Sequence, residues 1–88
     1  MNVGFKASFA KDLRDPKDKP LLERIKQLIV NVEAAQSLAE VSNLKKLRGG
    51  GGYYRVRIGD YRVGLAMEER VIVFVRVLHR REVYRYFP

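Results

Sequence analysis

The chain has 88 residues, 47 % hydrophobic and 32 % charged with only 3 prolines, which suits one small folded domain and excludes a disordered tail or a second core. Zero cysteines and a single histidine exclude disulfides, thiolate catalysis, cysteine-held zinc and a histidine-rich metal centre, so the chemistry expected is free of metals and cofactors. The net charge is +8, and it is unevenly placed: residues 1 to 44 carry 7 basic against 6 acidic side chains, residues 45 to 88 carry 11 against 4.

Residues 2 to 6 alternate around Val3 and Phe5 and predict a short strand, after which Ser8 offers a side-chain cap to a brief helix ending near Asp15 and Pro16. From Lys19, Pro20 can occupy a first helical turn, and Leu21, Leu22, Ile25, Leu28, Ile29 and Val32 recur at helical spacing, predicting a helix that ends near Ala35. Residues 36 to 47 read as a turn with a helical fragment, anchored by Leu38, Val41, Leu44 and Leu47. The glycines 49 to 52 then break the chain; without a following Gly-Lys-Ser/Thr they read as a flexible connection, not a phosphate-binding loop.

Residues 53 to 58 and 61 to 67 are strand-like, joined by Gly59 and Asp60 as a two-residue hairpin turn. Val71 to Leu78 is rich in β-branched residues and predicts a central strand, with a last short strand around Val83 to Tyr86. Together these predict a two-layer α+β domain over residues 1–88, its helices packed on one face of a mostly antiparallel sheet of four to five strands. No apolar stretch approaches the roughly 20 residues of a membrane span, so a cytoplasmic protein with no membrane partner is expected.

The hairpin register follows from its turn. If Ile58 pairs with Tyr61, Arg57 lies opposite Arg62, Val56 opposite Val63, Arg55 opposite Gly64 and Tyr54 opposite Leu65. Alternation then puts Tyr54, Val56, Ile58, Tyr61, Val63 and Leu65 under the helices and Arg55, Arg57 and Arg62 on the other face. A three-residue loop at Glu68 to Arg70 would add Arg76 opposite Arg62, with Phe74 opposite Gly64.

Like charges directly opposite in a sheet destabilise it by some tenths to about 1 kcal/mol per pair, so the clustered arginines suggest an anion site. The plainer reading is a solvated strand face whose charges block edge-to-edge aggregation. Against it stands the choice of arginine over lysine, since a rigid guanidinium fork suits phosphate oxygens and stacks on bases. Tyr53, Tyr84, Tyr86 and Phe87 are candidate stacking partners. The stretch His79-Arg80-Arg81-Glu82-Val83-Tyr84 would return a histidine, two arginines and a tyrosine to the same sheet. A basic excess of this kind attracts nucleic acid, an anionic membrane surface or an acidic protein; arginine with aromatics favours RNA.

Leu47-Arg48-Gly49, then Tyr54-Arg55-Val56-Arg57-Ile58-Gly59-Asp60-Tyr61-Arg62-Val63, then His79-Arg80-Arg81-Glu82-Val83-Tyr84 resemble the RelE/ParE superfamily of bacterial and archaeal toxins, in the spacing of its RelE branch. The resemblance implies a toxin of a type II toxin-antitoxin system that enters the ribosomal A site, cuts mRNA there and is held inactive by a cognate antitoxin, with operator DNA met only through the antitoxin complex. By motif position it implies a catalytic set of Arg55, Arg57, Arg62, Arg80 and Tyr84, with Arg48 as an auxiliary basic residue. Arg76, His79 and Arg81 join Arg48 as expected RNA contacts. Gly64 and Leu65 stand where the family commonly has a large apolar residue and a tyrosine, and Leu78 replaces a usual glycine, changes that leave the charges intact and bear on the shape of the site.

Metal-free RNA cleavage can use the ribose 2′-hydroxyl as nucleophile, needing a base, cations around the phosphorane and an acid for the leaving 5′-oxygen. Arginine stays protonated and suits the clamp; the base is then Tyr84, whose charged form neighbouring cations favour in principle, or His79. His79 reads equally well as an ordinary turn histidine. Two rivals remain: gyrase poisoning, as in the ParE branch, and simple docking of an acidic protein on the basic face.

Overall fold

The computed structural model describes residues 1–14, 18–49 and 51–88. The expected end of the first helix near Asp15 and Pro16 lies outside these residues. In chain order the elements are β1 (Asn2–Phe5), α1 (Ala7–Asp12), α2 (Lys19–Ala34), a 3-10 turn (Leu38–Glu40), β2 (Leu44–Lys46), β3 (Tyr53–Ile58), β4 (Tyr61–Glu68), β5 (Val71–His79) and α3 (Val83–Tyr86). They form one five-stranded sheet ordered β1-β5-β4-β3-β2, in which only β1 and β5 run parallel.

Helix α2 forms as its apolar spacing predicts. Asp18 caps it by accepting from the Leu21 amide at 3.1 Å, and Pro20 sits in the first turn, where its missing N–H is harmless. Its stripe of Leu21, Ile25, Leu28 and Val32 is buried against Val56, Val63, Leu65, Ile72 and Phe74. Each such side chain contributes about 1.5–3 kcal/mol on burial, so this interface anchors the domain. Phe9 of α1 closes one end, its ring 5.3 Å from that of Phe74. No helix among the described residues is long and apolar enough to cross a membrane.

The β3–β4 register is the predicted one, residue for residue, from Ile58↔Tyr61 to Tyr54↔Leu65. Gly59 takes a left-handed φ of 57° in the two-residue turn, a conformation open to glycine at no steric cost. Four expectations fail. Ser8 caps nothing: the N-cap is Lys6, two residues earlier, and the Ser8 hydroxyl instead donates to the Val75 carbonyl at 2.6 Å. Residues 44 to 46 form an edge strand, paired as Leu44↔Val56, Lys45↔Arg55 and Lys46↔Tyr54.

The β4–β5 register also differs from expectation. The connection is a two-residue turn, Glu69–Arg70, with Glu69 left-handed at φ 57°, so Leu65 and not Gly64 faces Phe74. A bulge then shifts the pairing to Gly64↔Arg76 and Arg62↔Leu78. Two residues of β5 thus oppose one step of β4, which moves Arg76 along the same face from Arg62 to Gly64. Finally, Val83–Tyr86 is a helical turn, not a strand, because Val83 and Phe87, four apart, fall on one side of it and are both buried.

Candidate functional site

The hairpin lays Arg57 opposite Arg62 and Arg55 opposite Gly64 on the sheet face away from α2. Arg80 follows β5 and is tied to the hairpin turn: its amide donates to the Asp60 carbonyl at 2.8 Å, and its Nε lies 3.9 Å from the Asp60 carboxylate. Helix α3 then crosses this face and brings Tyr84 over Arg55, the guanidinium carbon 5.4 Å from the ring centroid. At 70 % exposure Tyr84 is an open ring above a cation.

What holds α3 there is a second, small core. Leu78, Val83 and Phe87 are buried together, with Leu47, Tyr53 and Val75 around them. The Phe87 ring lies flat on Gly64: a Cβ at that position would come within 2.8 Å of three ring carbons. Residue 64 is therefore glycine for a local reason, and the departure noted at this position has become the seat of the C-terminal aromatic. Tyr53 meets Phe87 edge-on, centroids 5.6 Å apart at 89°. Both rings, expected as base-stacking partners, are spent in this packing.

The charges are crowded. Burial, and then the positive charges of Arg55, Arg57 and Arg80, hold the Arg62 guanidinium below its usual pKa, with Tyr84 pulling the other way. Arg62 spends one terminal nitrogen on the carbonyls of Gly59 and Tyr61, at 2.9 and 3.0 Å. The Nε atoms of Arg55 and Arg62 are buried with no hydrogen-bond partner among the described residues. A buried donor left unpaired costs about 1–3 kcal/mol, so an anion accepting from this group would stabilise the fold as it bound. Arg48 lines an adjoining groove of about 370 Å³ with Arg55 and Tyr84, and Arg81 is exposed in the turn before α3.

Two expected contacts lie elsewhere. Arg76 forms a bidentate pair with Asp12 of α1, 2.8 Å from Nε and 3.1 Å from Nη2, and the same carboxylate accepts from the Val77 amide at 2.8 Å. That hydrogen bond raises the Arg76 pKa. His79 is paired with Tyr61, rings 5.5 Å apart, on the face that carries Val63 and Val77. Its Nδ1 accepts from the Arg81 amide at 3.2 Å. His79 thus lies on the face away from the arginine cluster, whereas Arg76, on the same face as the cluster and opposite Gly64, is held apart from it by Asp12, its guanidinium carbon 6.0 Å from the Tyr86 ring. Lys45 was not anticipated: the strand that places it opposite Arg55 is only three residues long and shows no periodicity.

Comparison with known proteins agrees with the fold. The family model for the ParE toxin of type II toxin-antitoxin systems, parDE, matches residues 3–84. Toxin RelE3 of Methanocaldococcus jannaschii is 39 % identical over 89 positions, covering 100 % of both chains. A chain of the RelB-RelE antitoxin-toxin complex from Methanococcus jannaschii superposes with a TM-score of 0.83 and 38 % identity over 97 % of this chain and 99 % of that one. The archaeal RelE-RelB complex from Pyrococcus horikoshii OT3 gives 0.72 and 26 % over 91 % and 94 %. Matched over nearly its whole length by the family model and by relatives that share its sheet, this chain belongs to the RelE/ParE family as a RelE-like toxin of a type II toxin-antitoxin system.

Proposed function

We propose that this toxin is an endoribonuclease that cleaves mRNA in the ribosomal A site. The observation that carries the reading is the convergence of Arg55, Arg57, Arg62 and Arg80 around an exposed Tyr84, with two buried guanidinium donors that have no partner among the described residues. In the reaction Tyr84 takes the proton of a ribose 2′-hydroxyl. The O2′–P bond forms, the P–O5′ bond breaks, and the departing 5′-oxygen takes a proton from water while Tyr84 returns the one it took to solvent. The products are a 2′,3′-cyclic phosphate and a 5′-hydroxyl. The arginines hold the phosphate and balance the charge that builds on its oxygens, a task that fixed, partly desolvated cations perform without reorganising.

Arg48 and Arg81 extend the cationic surface along the RNA. The RelB-RelE complexes of the relatives support a cognate antitoxin as a partner of this chain; in our reading it silences the toxin, and operator DNA is met only through that complex. Gyrase poisoning is the second reading, favoured by the match to the ParE family model; it leaves the arginines and Tyr84 without a task.

The test is a translating extract programmed with a defined mRNA, with new 5′ ends mapped by primer extension, run with and without ribosomes. Cuts at discrete codon positions that require ribosomes are expected. Loss of a phosphate clamp or of a proton-transfer group typically costs 10²–10⁴-fold, so Arg80→Ala and Tyr84→Phe should both fall by at least two orders of magnitude. Intact mRNA alongside poisoned cells would overturn the reading and turn attention to gyrase.

A further inference from the structure

We propose that Lys45 is an RNA-positioning residue that binds the phosphate next to the scissile one, so that the toxin grips two consecutive phosphates. The assignment rests on the ribonuclease reading of the same face.

Register and alternation place the side chain. Leu44 pairs with Val56 and packs against the main core, so Lys45, the next residue, points to the opposite face beside its partner Arg55. There it lies between two grooves. One, of about 270 Å³, is lined by Asn43, Lys45, Arg55, Arg57 and Arg62; the other contains Leu47, Arg48, Tyr84 and Phe87 as well as Lys45 and Arg55. Lys45 and Arg55 are thus the ridge shared by both.

The two grooves differ in chemistry. The first is walled by guanidinium groups and suits the reacting phosphate. The second has Leu47 at its floor beside the open Tyr84 ring and a basic rim, which suits a base with its phosphate at the edge. A backbone running from one to the other passes over the ridge. Lysine there presents a mobile point charge, suited to a phosphate that must be held but not clamped in a fixed reacting geometry.

The electrostatics point the same way. Like charges directly opposite across a sheet destabilise it, and Lys45–Arg55 repeats in the next strand pair what Arg57–Arg62 does in the hairpin. Among the described residues the ion pairs are Lys6–Glu68, Arg76–Asp12 and Arg80–Asp60, so no carboxylate neutralises Lys45. An anion bound across the ridge supplies the compensation.

The experiment is single-turnover cleavage of mRNA on programmed ribosomes, titrating the toxin at several salt concentrations, with the unaltered chain, Lys45→Met, Lys45→Arg and Lys26→Met. Lys26 is exposed on α2, on the far side of the sheet. Lys45→Met should raise the half-saturating toxin concentration about tenfold while the saturated rate stays within about threefold. The slope of log affinity against log salt should lessen by about 0.7, the value of one phosphate contact to a single strand. Lys45→Arg should restore most of the loss, and Lys26→Met should match the unaltered chain. If the unaltered chain cuts nothing, the ribonuclease reading fails. If it cuts and Lys45→Met shares its half-saturation and salt slope, or loses only the saturated rate, the assignment of Lys45 is overturned.

Discussion

Gly64→Ala adds one methyl group where there is no room for it. The new Cβ would stand 2.8 Å from Cδ1, Cε1 and Cζ of Phe87, whereas carbon pairs rest at about 3.5–4.0 Å, so the ring must retreat by roughly 0.7–1.2 Å. It cannot slide freely, being wedged edge-on against Tyr53 and packed with Leu78 and Val83. Overpacking of this kind costs about 1–3 kcal/mol, against the ~0.4–1 kcal/mol that Gly→Ala gains where the space is open. The net strain, about 0–2.6 kcal/mol from those two ranges, falls on the docking of α3 and not on the main core beneath α2. Hydrogen exchange should therefore show lost protection at the amides of Arg85, Tyr86 and Phe87, which donate to Glu82 and Val83 carbonyls, with core amides little changed. Cleavage should drop about 10–100-fold, because Tyr84 rides on α3, and Phe87→Leu in the Gly64→Ala background should recover part of it. Unchanged protection together with unchanged cleavage would refute this account, as would collapse of the whole domain with α3 protection intact.

Arg57→Gln removes one member of the directly opposed Arg57–Arg62 pair. It should raise stability by about 0.2–1 kcal/mol while cleavage falls, read as opposite movements of the urea midpoint and the primer-extension signal. The Arg62 pKa is lowered, so its charged form is penalised in the fold at neutral pH, and the penalty would lift only as pH rises through that lowered value. Phosphate can relieve it without any change of pH: at matched ionic strength phosphate should add about 1.4 kcal/mol of stability over chloride at tenfold the dissociation constant, read as a higher melting temperature, and Arg62→Gln should abolish the difference. Asp12→Asn breaks the bidentate contact to Arg76 and should lower stability by about 1–3 kcal/mol, with cleavage nearly unchanged since this pair stands outside the arginine cluster. The Arg76 pKa is raised, so the pair's contribution is present at neutral pH and would be lost only as pH rises through that raised value. Urea midpoints should accordingly show an effect of Asp12→Asn that is constant across neutral pH.

The part of the site built by the hairpin was legible because one short turn dictates it: with Gly59 and Asp60 as the whole connection, every cross-strand pair follows, including Arg57–Arg62 and Arg55–Gly64. The next register was not legible. Glu69 adopts a left-handed conformation usual for glycine or asparagine, so nothing in its identity marks a two-residue turn, and the bulge at Val75 is stabilised by Ser8, sixty-seven residues away. Those two features decide that Arg76 leaves the cluster. The last element was misread because Val83, Tyr84 and Tyr86 have the composition of a strand, while the i, i+4 spacing of Val83 and Phe87, which selects a helical turn, matters only once there is a glycine floor for Phe87 to land on. Lys45 escaped notice for a similar reason, since three residues carry too little pattern to announce a strand.

The sheet ends on one side in β2, three residues with two lysines, and on the other in β1, four residues with Phe5 half exposed. Unpaired backbone groups at a sheet edge invite another chain to add a strand, and charge, above all lysine, is a common deterrent. On β2 the proposed RNA grip is also half of the deterrent, so neutralising Lys45 would weaken both at once: a variant selected to lose toxicity there would leave Lys46 as the edge's one remaining charge. On β1 no such guard exists, and the consequence is directional. If this protein aggregates or swaps strands when overproduced, growth should begin at the β1 edge, and a lysine introduced at Asn2, which is exposed, should suppress it while leaving the arginine face untouched.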